Sequence, residues 1–191
     1  MVSIDELNKI NPDNSGLNAR IYKYLDFFCK GEYEQCLDAT YPLFFKKFPR
    51  EIMLEKMKQA FENEDLIMST DLVTIDDIGK VIETDDGSYC SINYTLLTAI
   101  QFRNELPVDE DEAKRLESKK EFMINAFEAQ YGKENIWFDD ITKSYCFHIK
   151  NKMIALKDAF SPEWTFLTLV DHPMIEEFVP KDVLIILNSQ Q

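Results

Sequence analysis

The sequence predicts an α+β domain in which helices pack on one face of a curved antiparallel sheet. Three observations carry this. Helical periodicity fills the first third of the chain. Alternating strand patterns separated by turn residues fill most of the remainder. One helical segment, about residues 109–131, interrupts the strand meander. Helices followed by a run of strands, without regular βαβ alternation, favour an antiparallel sheet with helices on one side.

The first helix is "SGLNARIYKYLDFFCKG". Leu17, Ile21, Leu25 and Phe28 fall on one face, Ser15 is the candidate N-cap and Gly31 the stop. "EYEQCLDATY" repeats the pattern with Tyr33, Cys36, Leu37 and Thr40 until Pro42 breaks it. "PREIMLEKMKQAFENE" opens on Pro49, a favoured first-turn residue, and carries an apolar stripe of Met53, Met57, Ala60 and Phe61.

"LIMSTDLVTI" and "IGKVIET" read as strands, and Asp86-Gly87 is a hairpin signal. The long strand "SYCSINYTLLTAIQF" sets Cys90, Ile92, Tyr94, Leu96, Ile100 and Phe102 on one face. Ser91, Asn93, Thr95 and Gln101 lie on the other, and Pro107 ends the run. "DEDEAKRLESKKEFMINAFEAQYG" is the inserted helix. Asp109 to Glu112 sit where the helix dipole favours negative charge, and Glu110–Lys114 and Asp111–Arg115 are spaced to pair. Leu116, Met123, Phe127 and Tyr131 form its buried stripe, and Gly132 stops it. Strands resume with "NIWF", "SYCFHIK", "KMIALKDA" and "EWTFLTLV", with Asp139-Asp140 and Asn151 as the expected turns. The tail "HPMIEEFVPKDVLIIL" predicts one or two short helices bracketing Pro180. The whole chain, 1–191, reads as one domain, with a core at about 16–170 and a helical tail at 173–188.

Hydrophobic residues make up 45% of the chain, enough for a sizeable core. The 35 acidic residues against 21 basic ones give a net charge of −14, and no basic run is present. Nucleic acid and anionic membrane are therefore poor partners. The start "MVSIDELNKINPDNSG" carries acids and no apolar core, and no stretch approaches the roughly 18 apolar residues of a membrane span. The expected compartment is the cytoplasm. Cys29, Cys36, Cys90 and Cys146 lack CxxC spacing, which points to packed thiols rather than a zinc or thioredoxin-like motif.

"IYKYLDFFCKGEYEQCLDATYPLFF" resembles the opening helix pair of the nuclear transport factor 2-like superfamily, the cone-shaped α+β fold also known from ketosteroid isomerase. "EWTFLTL", with Trp164 and Phe166 two residues apart, is similar to that superfamily's late strand. The resemblance covers roughly residues 16–170. It implies three helices against a strongly bent sheet enclosing a cone. The inserted helix and the C-terminal tail depart from the minimal pattern and bear on the mouth of the cone. The superfamily hosts isomerases, dehydratases, transport adaptors and toxin-immunity proteins, so the fold alone does not select a function.

The candidate chemistry is sparse. Cys146 and His148 share the more polar face of "SYCFHIK", whereas Tyr145, Phe147 and Ile149 form the core set. Neither an orienting partner nor a set of metal ligands accompanies them, and His172 lies in a "DHP" turn, so no metal or cofactor is expected. An isomerase-like reading needs a carboxylate base facing an apolar interior, and Asp158 in "KMIALKDA" is the candidate. Tyr22, Tyr24 and Tyr94 are candidate hydrogen-bond donors or ordinary core aromatics. The leading expectation is a non-catalytic module that binds a small apolar ligand or a protein, with Tyr24, Tyr94, Trp164 and Phe166 lining the pocket. Two alternatives stand beside it. One is an isomerase- or dehydratase-like enzyme using Asp158. The other is an acidic toxin-immunity protein that meets a basic partner through its charge. A homodimer is left open.

Overall fold

A computed structural model describes residues 2–103, 109–168 and 172–190, the side chains of 71 and 72 aside. Pro107 and the last two residues of "EWTFLTLV" lie outside the described residues.

The architecture is α+β. Helices α1 (Ile4–Ile10), α2 (Ser15–Cys29), α3 (Tyr33–Asp38) and α4 (Arg50–Phe61) come first. Strands β1 (Leu66–Ile78), β2 (Ile82–Glu83) and β3 (Gly87–Phe102) follow, then α5 (Glu110–Tyr131). Strands β4 (Ile136–Asp139), β5 (Ser144–Asp158) and β6 (Thr165–Leu167) and helix α6 (Lys181–Ser189) complete the order. Single 3₁₀ turns lie at Pro42–Lys46, Lys133–Asn135 and Pro173–Glu177. The six strands form one sheet in the order β1-β3-β5-β4, with β2 also on β3 and β6 also on β5, and every ladder is antiparallel. β1 shifts register on β3 at Thr70/Leu72 and again at Ile75/Asp77. Such bulges raise the local twist and curve the sheet.

The pairing register fixes the two faces. Tyr94 stands opposite Asn151, Leu96 opposite Ile149 and Ile92 opposite Met153, so these share a face. Helices α1 and α2 pack on it through Leu7, Leu17, Ile21, Tyr24 and Leu25. Farther along the same face, Phe147 stacks on both Phe127 and Tyr131 of α5, each ring centre 5.5 Å away. The tail covers the opposite face, where Val183, Leu184 and Leu187 of α6 meet Tyr89, Ile154 and Leu156. The inserted helix therefore extends the helical layer, and the tail adds a second one behind the sheet.

Several expectations need correction. A helix, α1, precedes the first helix expected from the sequence. α1 is closed by a capping box in which Ser3 Oγ accepts from the Glu6 amide and Glu6 reaches back to the Ser3 amide. Its end is tied to α2 by the buried Asn18, whose Nδ2 donates to Asn8 Oδ1 and to the Asn11 carbonyl. Asn14, not Ser15, occupies the N-cap of α2. The strand expected over 78–84 shrinks to Ile82–Glu83, because Ile78 continues β1. Asp76-Asp77 lies inside β1 at its second bulge. Asn151 is no turn either: β5 runs unbroken from Ser144 to Asp158, and its pairing with β3 overrides the local preference of asparagine for turns. The pairs Glu110–Lys114 and Asp111–Arg115 do not form, and Lys119 instead bonds Asp65. Gly31 and Gly132, with φ of +70° and +89°, do end their helices in the left-handed region.

Candidate functional site

Between α2, α3, α4 and the helical face of the sheet lies a cavity of about 330 Å³. Helix α2 contributes Tyr24 and Phe28, α3 contributes Cys36 and Leu37, and α4 contributes Met53 and Met57. Tyr94 and Leu96 of β3, Asn151 of β5 and Leu167 of β6 complete the sheet side, with Thr40, Phe44 and Thr168 at the margins. The local sequence explains these placements. Tyr24 falls one helical turn after Ile21 on the buried stripe of α2. Tyr94 falls between Ile92 and Leu96 on the apolar alternation of β3. The β6 backbone is clamped to the α3 exit, where the Phe166 amide donates to the Ala39 carbonyl and the Tyr41 amide to the Phe166 carbonyl.

Among the described residues, the walls are mostly apolar and carry no ionisable acid or base apart from phenols and one thiol. Tyr24 is 7% exposed and Tyr94 6%. Neither hydroxyl has a hydrogen-bond partner among the described residues, and neither is one of the sealed unpaired atoms, which are Thr70 Oγ1 and Gln190 Oε1. Both hydroxyls therefore reach open space, and the open space their rings border is the cavity. Burial pushes the Tyr24 hydroxyl well above the ordinary phenol range, and the neighbouring Tyr94 adds to this. Burial raises Tyr94 in the same way. Burial likewise pushes the Cys36 thiol up to about 12, so it stays protonated and a poor nucleophile. Its Sγ faces the Tyr24 carbonyl at 3.8 Å. Asn151 donates from Nδ2 to the Ile149 carbonyl at 3.2 Å.

The four expected ligand residues divide. Tyr24 and Tyr94 line the cavity. Phe166 stands behind Tyr24, the ring centres 4.9 Å apart, and supports it without lining the space. Trp164 lies outside, with Lys157 Nζ 5.2 Å from its ring centre and Arg20 Nε donating to its carbonyl at 3.0 Å. Tyr22 is packed at the edge of the same core. Of the remaining wall residues, Cys36, Met53 and Met57 carry only the apolar stripe of their helices as a signal, which a cavity wall and a packed core share, and Asn151 reads in the sequence as a turn.

Asp158 does not line the cavity. It ends β5 opposite Gly87, and its carboxylate accepts from Tyr41 Oη at 2.5 Å and from the amides of Phe160 and Ser161 at 2.8 Å each. That is a carboxylate closing a turn. Cys146 is buried, while His148 is exposed beside Trp137, 5.1 Å between ring centres, on the face away from the cavity. His172 caps the turn at Pro173–Glu177, its Nδ1 accepting from the Met174 amide at 3.2 Å. Among the described residues, no three His, Cys, Asp or Glu side chains cluster closely enough to hold a metal ion. No helix among them is long and apolar enough to cross a membrane. Compared with known proteins, the chain matches no family model, no curated protein sequence and no solved structure.

Proposed function

We propose that the protein is a non-catalytic binding module that takes a small apolar ligand into the cavity between its helices and its sheet. The observation that carries this reading is a cavity of ligand size bordered by two largely buried tyrosines, whose hydroxyls have no partner, and by no carboxylate, among the described residues. Small-molecule sites are typically apolar clefts of about 300–1,000 Å³ with a few converging polar groups. We read the chain as a cone-type member of the nuclear transport factor 2-like superfamily. The helix trio, the bulged sheet and the β6 clamp support that reading. The enzymatic alternative is less supported, because Asp158 is committed to the turn after β5. The test is thermal unfolding with and without neutral compounds of one or two aromatic rings. A ligand present at about 100 times its Kd should add about 2.7 kcal/mol of stability. No shift of the midpoint with any member of such a set counts against the reading.

A further inference from the structure

We propose that a second site, on the tail-covered face of the sheet, binds a short zwitterionic peptide by its two free termini. This site is separate from the cavity between the helices and the sheet and independent of the ligand proposed for it.

Beside the end of α6, the tail-covered face opens into a groove of about 800 Å³. Asp76 and Asp77 of β1 stand on one side and Lys150 and Lys152 of β5 on the other, with Asn93 of β3 and Gln190 completing the lining. Successive residues of a strand point to opposite faces, so two neighbouring acids on one face need a cause. The register shift between Ile75 and Asp77 supplies it. Thr95 Oγ1 donates to Asp76 Oδ2 at 2.7 Å, and Asp77 stands opposite Asn93, so both acids lie on the groove side.

The same register keeps the opposite charges apart. Asp77, Asn93 and Lys152 occupy one row across β1, β3 and β5. With strands about 4.8 Å apart, the backbones of the acid and the lysine stand about 10 Å apart. Among the described residues, Asp76, Asp77 and Lys150 enter no ion pair. Lys152 Nζ donates to Asn188 Oδ1 at 2.9 Å, which anchors it to α6 beside the groove. The groove therefore has a negative wall and a positive wall that do not neutralise each other.

A simple anion or cation suits one wall and is repelled by the other. A molecule with an ammonium at one end and a carboxylate at the other suits both. A peptide of two or three residues spans about 7–11 Å, which matches the separation of the walls. Its peptide groups lie over β3, where the Asn93 amide offers both a donor and an acceptor.

Triglycine, its N-acetyl form, its C-terminal amide and the doubly blocked peptide separate the charges. Binding is followed through the amide chemical shifts of the full chain at neutral pH and low salt. Exposed ion pairs are individually weak, so triglycine should bind with a Kd of about 1 mM and weaken at least about threefold when either terminus is blocked. The shifts should centre on residues 76–77, 93 and 150–152, and added salt should reduce the affinity. In a double variant Asp76→Asn, Asp77→Asn, acetylation should cost less than about 1.5-fold, and in Lys150→Gln, Lys152→Gln the same should hold for amidation, because the matching wall is gone. If triglycine does not bind, if the doubly blocked peptide binds as tightly, or if the shifts map elsewhere, the proposal falls on the parent protein alone and the cavity reading is untouched. A dimer in sedimentation that the lysine variant dissociates also overturns it, since a second copy then covers the groove.

Discussion

The hydroxyl of Tyr41 donates to Asp158 Oδ2 at 2.5 Å, joining the turn after α3 to the end of β5 across 117 residues of sequence. With two backbone amides on Oδ1, Asp158 gathers the 3₁₀ turn, the β5 terminus and the loop toward β6. Tyr41→Phe should cost about 2 kcal/mol in urea unfolding, as expected for a hydrogen bond to a charged group, and Asp158→Ala should cost more. Neither change should alter ligand affinity in the cavity. A large loss of affinity with unchanged stability would return Asp158 to a functional role.

Stability should fall in alkali, in a defined window. Burial pushes the thiols of Cys36 and Cys90 from 9.0 up to about 12. The native state therefore keeps these protons after the unfolded chain has released them. Their contribution is whole below about pH 9 and is lost progressively as pH rises toward 12. Tyr24 and Tyr94, also raised by burial, extend the loss in the same direction. Each such group adds about 1.4 kcal/mol per pH unit to the slope. Cys90→Ala should make the slope shallower, and urea titrations across this range check it.

Met57 is half-buried in the cavity wall, on the side of α4 that meets the core. Met57→Trp should fill part of the space and lower affinity for neutral aromatic probes by about tenfold or more, with stability held to within about 1 kcal/mol. Calorimetric binding and urea unfolding on the same sample separate the two effects.

The inserted helix docks largely on one ring, with Met123 on the same cluster and Lys119 paired to Asp65. α5 has no fully buried residue, yet Phe127 and Tyr131 both stack on Phe147 of β5. Phe147→Ala should cost about 3–5 kcal/mol. It should also expose the lysines and arginine between 114 and 120 to trypsin before the sheet unfolds, because the dock for α5 is lost while β3 and β5 remain paired.

The strong periodicities were legible. The stripes of α2 and α5, the stops at Gly31 and Gly132 and the alternation along β3 all follow from residue spacing. The capping signal Ser3-x-x-Glu6 was present too, and it marks α1 once read. Asn151 misleads because its identity is a local signal and its partner Tyr94 is 57 positions away in sequence (151 − 94). The candidate site was half legible for a related reason. Period alone puts Tyr24 and Tyr94 inside, but whether an interior is filled depends on how far α4 stands from the sheet. Trp164 shares the composition of the pocket, and the start of β6 at Thr165 leaves it outside.

Helix α4 closes the cavity with Met53 and Met57 while burying none of its own residues. It is fastened at its ends, by Arg50 to Asp38 and to the Glu34 carbonyl, and by Phe61 against Phe28 and Tyr33, each 5.3 Å between ring centres. A wall held at two points can swing away without disturbing β3, β5 or α2. On the proposed binding reading, an occupant's residence time should then follow the opening frequency of this one helix rather than global unfolding. Amide protons of residues 50–61 should exchange with solvent ahead of those of α2, and a bound ligand should slow them in proportion to its dwell.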